Sequence, residues 1–393
     1  MSRPGEPGGA GDPGSTGNGH EPGLAARVRE RWGVHGRGQH ERDQHVRDQH
    51  ERDQGDARSV DMHDGVRQGG GRADGGRDGG GRQGGGRRGE QLVVPRAQPD
   101  SYYGKPIIKE PVWRSPEVPG YLFLGGLAGA SSVLAGYAQA AGNHRQAQVS
   151  KIAAVGAVGL STVALVADLG RPERFVNMLR VFKPSSPMSV GSWLLSGLGG
   201  AATASAASAV TGRLPRAGAA ATVGAMVLGP GVCTYTAALI CDTAVPAWHE
   251  AHREMPYLFA GSAASAAGGL GMLAVPGHAG QATRFAALGA VAELTAKHLM
   301  LGRLGETAEP YRTGRPGRLL DAAEALTVAG AAGAVLGGRS RVATAICGAA
   351  LLTASALTRF GIFEAGRASA RDPKYTVRPQ RERLAAKARE RVP

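Results

Sequence analysis

The chain has 393 residues, 62 of them glycine, and 46 Lys and Arg against 32 Asp and Glu, for a formal net charge of +14. Its mildly negative mean hydropathy averages two unlike halves: residues 1 to about 100 are dense in Gly, Arg, Asp, Gln and His, whereas 118–366 is rich in Ala, Gly, Leu and Val. The first half cannot bury a core and the second reads as membrane. The bases lie in tails and short loops beside apolar segments, which argues for membrane topology and against nucleic-acid binding.

Residues 1–100 form a low-complexity tail, with HERDQ at 40–44, HVRDQ at 45–49, HERDQ at 50–54 and GGGR-like units through Arg88. Such a composition predicts a disordered polar segment, and loose metal binding by its histidines is the weaker reading. No apolar run follows Met1, so no signal peptide is expected. Met62 or a later codon is an alternative start, which intact tail peptides found in cells would exclude.

Residues 101–117 read as a juxtamembrane segment. In YYGKPIIKEPVWRSPEVPGY, from Tyr102, repeated prolines forbid a long helix and the aromatics suit the headgroup region. Apolar windows of about 20 residues then predict eight transmembrane helices, at roughly 118–141, 150–168, 188–211, 217–241, 256–276, 281–301, 319–338 and 341–361. The fold class is therefore an all-α integral membrane protein, with a membrane domain over 118–366 and a basic tail over 367–393. Small-xxx-small spacings such as Gly125 with Gly129 suit close helix contacts in lipid. Gly229, Pro230 and Gly231 interrupt the fourth span, where a kinked helix is preferred to a true break.

An even span count puts both termini on one side. That side holds Arg171, Arg174, Arg180, Lys183, Arg253, Arg303, Arg312, Arg315 and Arg318, besides Lys105, Lys109, Arg114 and the basic C-terminus. The opposite connectors hold Arg145, Lys151, Arg213, Arg216, Arg284, Arg339 and Arg341. The positive-inside rule places both termini in the cytoplasm of a multi-pass cell-membrane protein. Trp113, Trp193 and Trp248 belong to the same edge.

Several residues are candidates for chemistry. Asp168 and Arg171 are expected to pair across the LGRP turn, leaving Arg174, Arg180 and Lys183 for lipid phosphate or an acidic partner. Glu293 and Lys297 lie four apart in the sixth span, where an ion pair limits the cost of burial, and His298 is next to them; they are candidates for a proton path or a structural staple. Cys233, Cys241 and Cys347 form no CxxC pair and cannot by themselves ligate an iron–sulfur cluster. Only His298 lies within a span, so no transmembrane haem is expected, and HEAH at 249–252 makes no closed metal site.

Four long segments carry a resemblance: YLFLGGLAGASS at 121–132, DLGRPERFVNMLRVFKPSSPMSVGSW at 168–193, YTAALICDTAVPAWHEAHREMPYLFAGSAASAAGG at 235–269 and TRFGIFEAGRASARDPKYTVRPQRERL at 358–384. Together they resemble the NrfD-like membrane subunits of polysulfide-reductase-type complexes. The resemblance implies an eight-helix anchor for an iron–sulfur subunit and, through it, a molybdopterin catalytic subunit. It also implies electron exchange with a quinone, menaquinone being the expected species. Members act on polysulfide, nitrite or formate, and family membership selects none of these. Glu117, Tyr121, Tyr235, Asp242, His249 and His252 are then candidates to line a quinone slot. Tyr and His can donate to carbonyl oxygens, and a carboxylate can take up or release a proton. A transporter or ion-translocating module and a purely structural anchor are the alternatives.

Overall fold

The computed structural model describes residues 107–170, 172–336 and 340–390, the side chains of Pro172 and 385–390 excepted. The tail at 1–100 and Arg171 lie outside the described residues. Among the described residues the fold is all helical. In chain order the α-helices are α1 Glu117–Ala140, α2 His144–Leu169, α3 Pro172–Met178, α4 Pro187–Thr211, α5 Pro215–Cys241, α6 Pro246–Glu250, α7 Met255–Ala274, α8 Gly280–Arg303, α9 Glu309–Arg312, α10 Gly314–Leu336, α11 Arg341–Arg371 and α12 Lys374–Glu390.

Local sequence sets the ends. The Asn143 side chain caps α2 by accepting from Gln146 N, and Gly170 closes it in the left-handed conformation at φ 74°. Prolines open α4, α5, α6 and α7, where a missing N–H costs no helical hydrogen bond. Ser340 caps α11 by accepting from Ala343 N.

The eight long helices overlap the eight predicted segments. Six of them, α1, α2, α5, α7, α10 and α11, are long and apolar enough to cross a membrane. The other two have similar lengths, 25 and 24 residues. In α4 Ser and Gly dilute the apolar content, and α8 carries Arg284, Glu293, Lys297 and Arg303.

Successive helices pair as hairpins, α1 with α2, α4 with α5, α7 with α8 and α10 with α11, around an inner group of α1, α5, α7 and α11. The most apolar window of α1 is 78% buried and that of α2 only 22%, which separates an inner helix from an outer one. Buried positions are dominated by Ala, Gly and Ser, whereas Leu160, Val163, Val227, Leu288, Val291 and Ile346 point outward. Large aliphatics outside and small residues inside is the packing expected when lipid replaces water as the solvent.

At the crossing of α1 and α5 the backbones of Gly129 and Gly229 meet so closely that a Cβ on either would overlap the other's carbonyl. The Cys233 thiol donates to Gly126 O nearby, at 3.4 Å. Helix α5 runs unbroken through Pro230, so the expected kink-or-break site opens no gap in the helix.

Two expectations at the C-terminal side change. The last long helix continues to Arg371, ten residues past the expected 361. The basic tail contains α12, tied back to the bundle by Lys374–Glu309 at 3.1 Å, Arg378–Glu306 at 3.4 Å and Arg383–Glu250.

Candidate functional site

Where α1 begins, residues 107–116 lie against the end of α11. The Glu110 carboxylate bridges Arg367 at 2.7 Å and Arg371 at 2.8 Å. The Arg114 backbone N–H reaches Asp168 Oδ1 at 3.4 Å. Behind this segment the Trp113 ring stacks on Trp248 at 5.7 Å, and Trp248 packs on Phe363 at 5.7 Å and donates its indole N–H to Ile362 O at 2.8 Å. A Cβ on Gly366 would fall inside the Trp248 ring, so glycine is required for α11 to approach it.

These contacts leave an open cleft of about 480 Å³ lined by Glu110, Pro111, Val112, Trp113, Arg114, Ser115, Glu117 and Arg367. Glu117 Oε2 is buried and has no hydrogen-bond partner. The cleft thus combines an aromatic side chain, two cations, the Glu110 carboxylate paired to one of them, and the Glu117 carboxylate with one unpartnered oxygen. That set can stack on a planar ring, donate to its oxygens and exchange a proton with them.

The hydrogen bond from Arg371, helped by Arg367, holds the Glu110 carboxyl below the usual glutamate value of 4.5. A depressed folded value means the clasp contributes fully above the unfolded value and is lost as pH falls through the folded one. Acidification through the depressed Glu110 value, below the ordinary glutamate range, is therefore expected to release the segment and red-shift Trp113 fluorescence. Glu110→Gln should produce that shift already at neutral pH, and a wild-type spectrum in the variant would contradict the clasp.

The six residues expected around one slot separate into two groups. Glu117, Tyr121 and Tyr235 are on the inner side. Tyr121 is 4% exposed, its backbone carbonyl accepting from Ser161 Oγ at 3.2 Å. The Tyr235 ring lies over Gly191 and its buried hydroxyl has no partner. Asp242, His249 and His252 are exposed. Asp242 ends α5 and the chain turns into α6, whose inward residue is the fully buried Trp248. His249 and His252 consequently face outward, with Nδ1 atoms 3.3 Å from Cys241 O and 2.9 Å from His249 O. Only Glu117 of the six lines the cleft.

Inside the bundle the charges also pair differently from the expectation. Lys297 Nζ makes its ion pair with Glu324 of α10 at 2.6 Å and donates to Leu320 O at 3.0 Å, so the staple joins two helices instead of following one. Glu293, 3% exposed, accepts from Thr358 Oγ1 at 2.8 Å, and its Oε2 has no partner. His298 is turned outward, its side chain 66% exposed and Nε2 3.6 Å from Glu324.

Two further cations are buried. Arg359, two residues from the expected end of the last span, is 1% exposed. Its guanidinium lies 3.9 Å over the Phe259 ring and donates to Phe259 O at 2.7 Å, while Nε and Nη1 lack partners. It lies within electrostatic reach of Glu293. The extra turns of α11 carry the helix ten residues beyond the expected end, so Arg359 lies within it and not at its terminus. Lys151, expected in a connector, sits in α2 at 9% exposure and donates to Gln139 at 2.6 Å.

In the 168–193 stretch Asp168 meets Arg114, as above. Arg174 donates to Leu169 O at 3.0 Å and so caps α2. Arg180 and Lys183 are exposed.

Compared with known families, residues 108–306 match the one described as Polysulphide reductase, NrfD. The chain belongs to the NrfD family. The match spans the cleft segment and α1 to α8, and so takes in Glu117, Tyr121, Tyr235 and Glu293 but not Arg359 or Glu324. With its several apolar helices, this NrfD chain is a multi-pass membrane protein. No curated protein matches it.

Proposed function

We propose that the chain is the quinone-reactive membrane anchor of a multisubunit oxidoreductase, passing electrons between a partner iron–sulfur subunit and the membrane quinone pool. The observation that carries this reading is the cleft at Trp113, lined also by Glu117, whose buried Oε2 has no hydrogen-bond partner. NrfD-family membership supplies the class of complex, since members associate with iron–sulfur and molybdopterin subunits.

In this reading a quinol ring stacks on Trp113, Arg114 and Arg367 orient its oxygens, and Glu117 takes one of the two protons released on oxidation. The second proton leaves through the open mouth of the cleft, and an iron–sulfur centre held by the partner would accept the two electrons one at a time. Quinone reduction runs the same steps in reverse. The chain itself contributes position and proton exchange, and alone it catalyses nothing. All eight long helices span the membrane, with both termini in the cytoplasm, as the distribution of bases supports.

Ion translocation is a second reading, favoured by the buried Glu293, Arg359 and Lys297–Glu324 groups, because buried charge in a membrane is costly and marks ion or proton routes. It is compatible with the first. The test reconstitutes the chain in quinol-loaded vesicles. Quinol oxidation that requires an added iron–sulfur partner supports the anchor reading; solute uptake by the chain alone, without quinol oxidation when the partner is present, overturns it.

A further inference from the structure

We propose that the loop between α2 and α4 is a binding site for the headgroup of an anionic phospholipid, with Arg180 and Lys183 on the phosphate and Phe182 and Trp193 in the acyl boundary. None of these four residues lines the quinone cleft, and the proposal does not rest on the function proposed for it.

The loop is built rather than loose. Ser189 Oγ accepts from Lys183 N at 3.0 Å and donates to Val181 O at 3.1 Å, which fixes the backbone on both sides of Phe182. Pro184 and Pro187 stiffen the chain beyond it. So held, Phe182 meets Trp193 edge to face at 6.2 Å and 89°. Both rings remain open, at 56% and 44% exposure, as do Val176 at 63% and Val181 at 69%.

Depth decides what covers them. Trp193 is six residues into α4, about 9 Å along the helix from its start. The Phe182 ring therefore folds down beside a helix flank instead of projecting away from the bundle end. Val163 of α2 is likewise open, at 65%. A ring at that depth with a cation at the next position is the arrangement of an interfacial anchor, whose apolar part enters the acyl boundary while the charge stays among phosphates.

The charge pattern selects an anionic lipid. Neither Arg180 nor Lys183 meets a carboxylate among the described residues. Arg174 is spent on the Leu169 carbonyl. Glu173, the acid of the segment, sits in the first turn of α3, and no ion pair joins it to Arg180 or Lys183 among the described residues.

The test places the full chain in nanodiscs of phosphatidylcholine with three parts in ten phosphatidylglycerol and measures the lipid retained after transfer to detergent by native mass spectrometry. Each base near the surface is worth roughly fivefold in affinity. Arg180→Gln with Lys183→Gln should therefore lower phosphatidylglycerol retention by about 25-fold and leave phosphatidylcholine unchanged. Arg180→Lys with Lys183→Arg should hold it near wild type, which separates charge from folding. Equal phosphatidylglycerol retention by the wild type and the double Gln variant overturns the proposal. So does a double Gln variant that keeps its lipid and loses its iron–sulfur partner, which would make the loop a protein-docking face.

Discussion

Arg359→Leu is expected to destabilise the bundle by about 3–5 kcal/mol, the usual cost of leaving one member of a buried charged couple uncompensated. The guanidinium stacks on Phe259, satisfies the Phe259 carbonyl and lies in the field of Glu293. Leucine keeps part of the volume and none of these interactions. Thermal unfolding of the purified protein should shift down on the order of 10 °C. Adding Glu293→Gln to Arg359→Leu should recover part of the loss, because the amide leaves no buried charge to compensate. Strictly additive destabilisation would mean that the two residues are not coupled, and an unchanged melting temperature for Arg359→Leu would remove Arg359 from the core of the account.

Glu117→Gln is expected to lower quinol turnover by about 10²-fold or more, the usual contribution of a positioned proton acceptor. The amide has nearly the same shape and can still hydrogen-bond, so the variant should assemble with its partner and melt near the wild-type temperature. The loss should fall on kcat, with KM little changed, because binding depends on the Trp113 face and the two arginines. Trp113→Ala should show the opposite split, a raised KM. Undiminished turnover in Glu117→Gln, in an assembled complex, would take the carboxylate out of the reaction.

The helices were legible because lipid makes a simple demand: about 20 apolar residues satisfy their own backbone and need no partner pattern. That rule found the long segments and missed the end of α11. The stretch past 361 carries Glu364, Arg367 and Arg371, and a hydropathy window stops at such charges. In the fold Arg367 and Arg371 clasp Glu110, and the helix that carries all three charges continues.

The candidate site was only partly readable. Glu117 was visible as an acid beside an apolar run, but its cleft is made by Trp113, Arg114 and Arg367, brought together across more than 250 positions by the Glu110 clasp. Sequence spacing holds no record of such a meeting. The histidines failed on helix phase: with Trp248 turned inward, His249 and His252 had to face out. Lys297 had two carboxylates in reach of its helix, and packing of α10 chose Glu324 over Glu293. Gly129 and Gly229 tell a similar story, since small residues advertise close contacts but only the crossing names the pair.

The most direct measurement is photo-crosslinking of the assembled membrane complex with an azido-quinone, followed by peptide mapping. The label is expected on residues 111–117 around Trp113, displaced by excess native quinone and abolished by Trp113→Ala. Saturable labelling confined to another part of the bundle, with the 111–117 peptide unmodified, would contradict it.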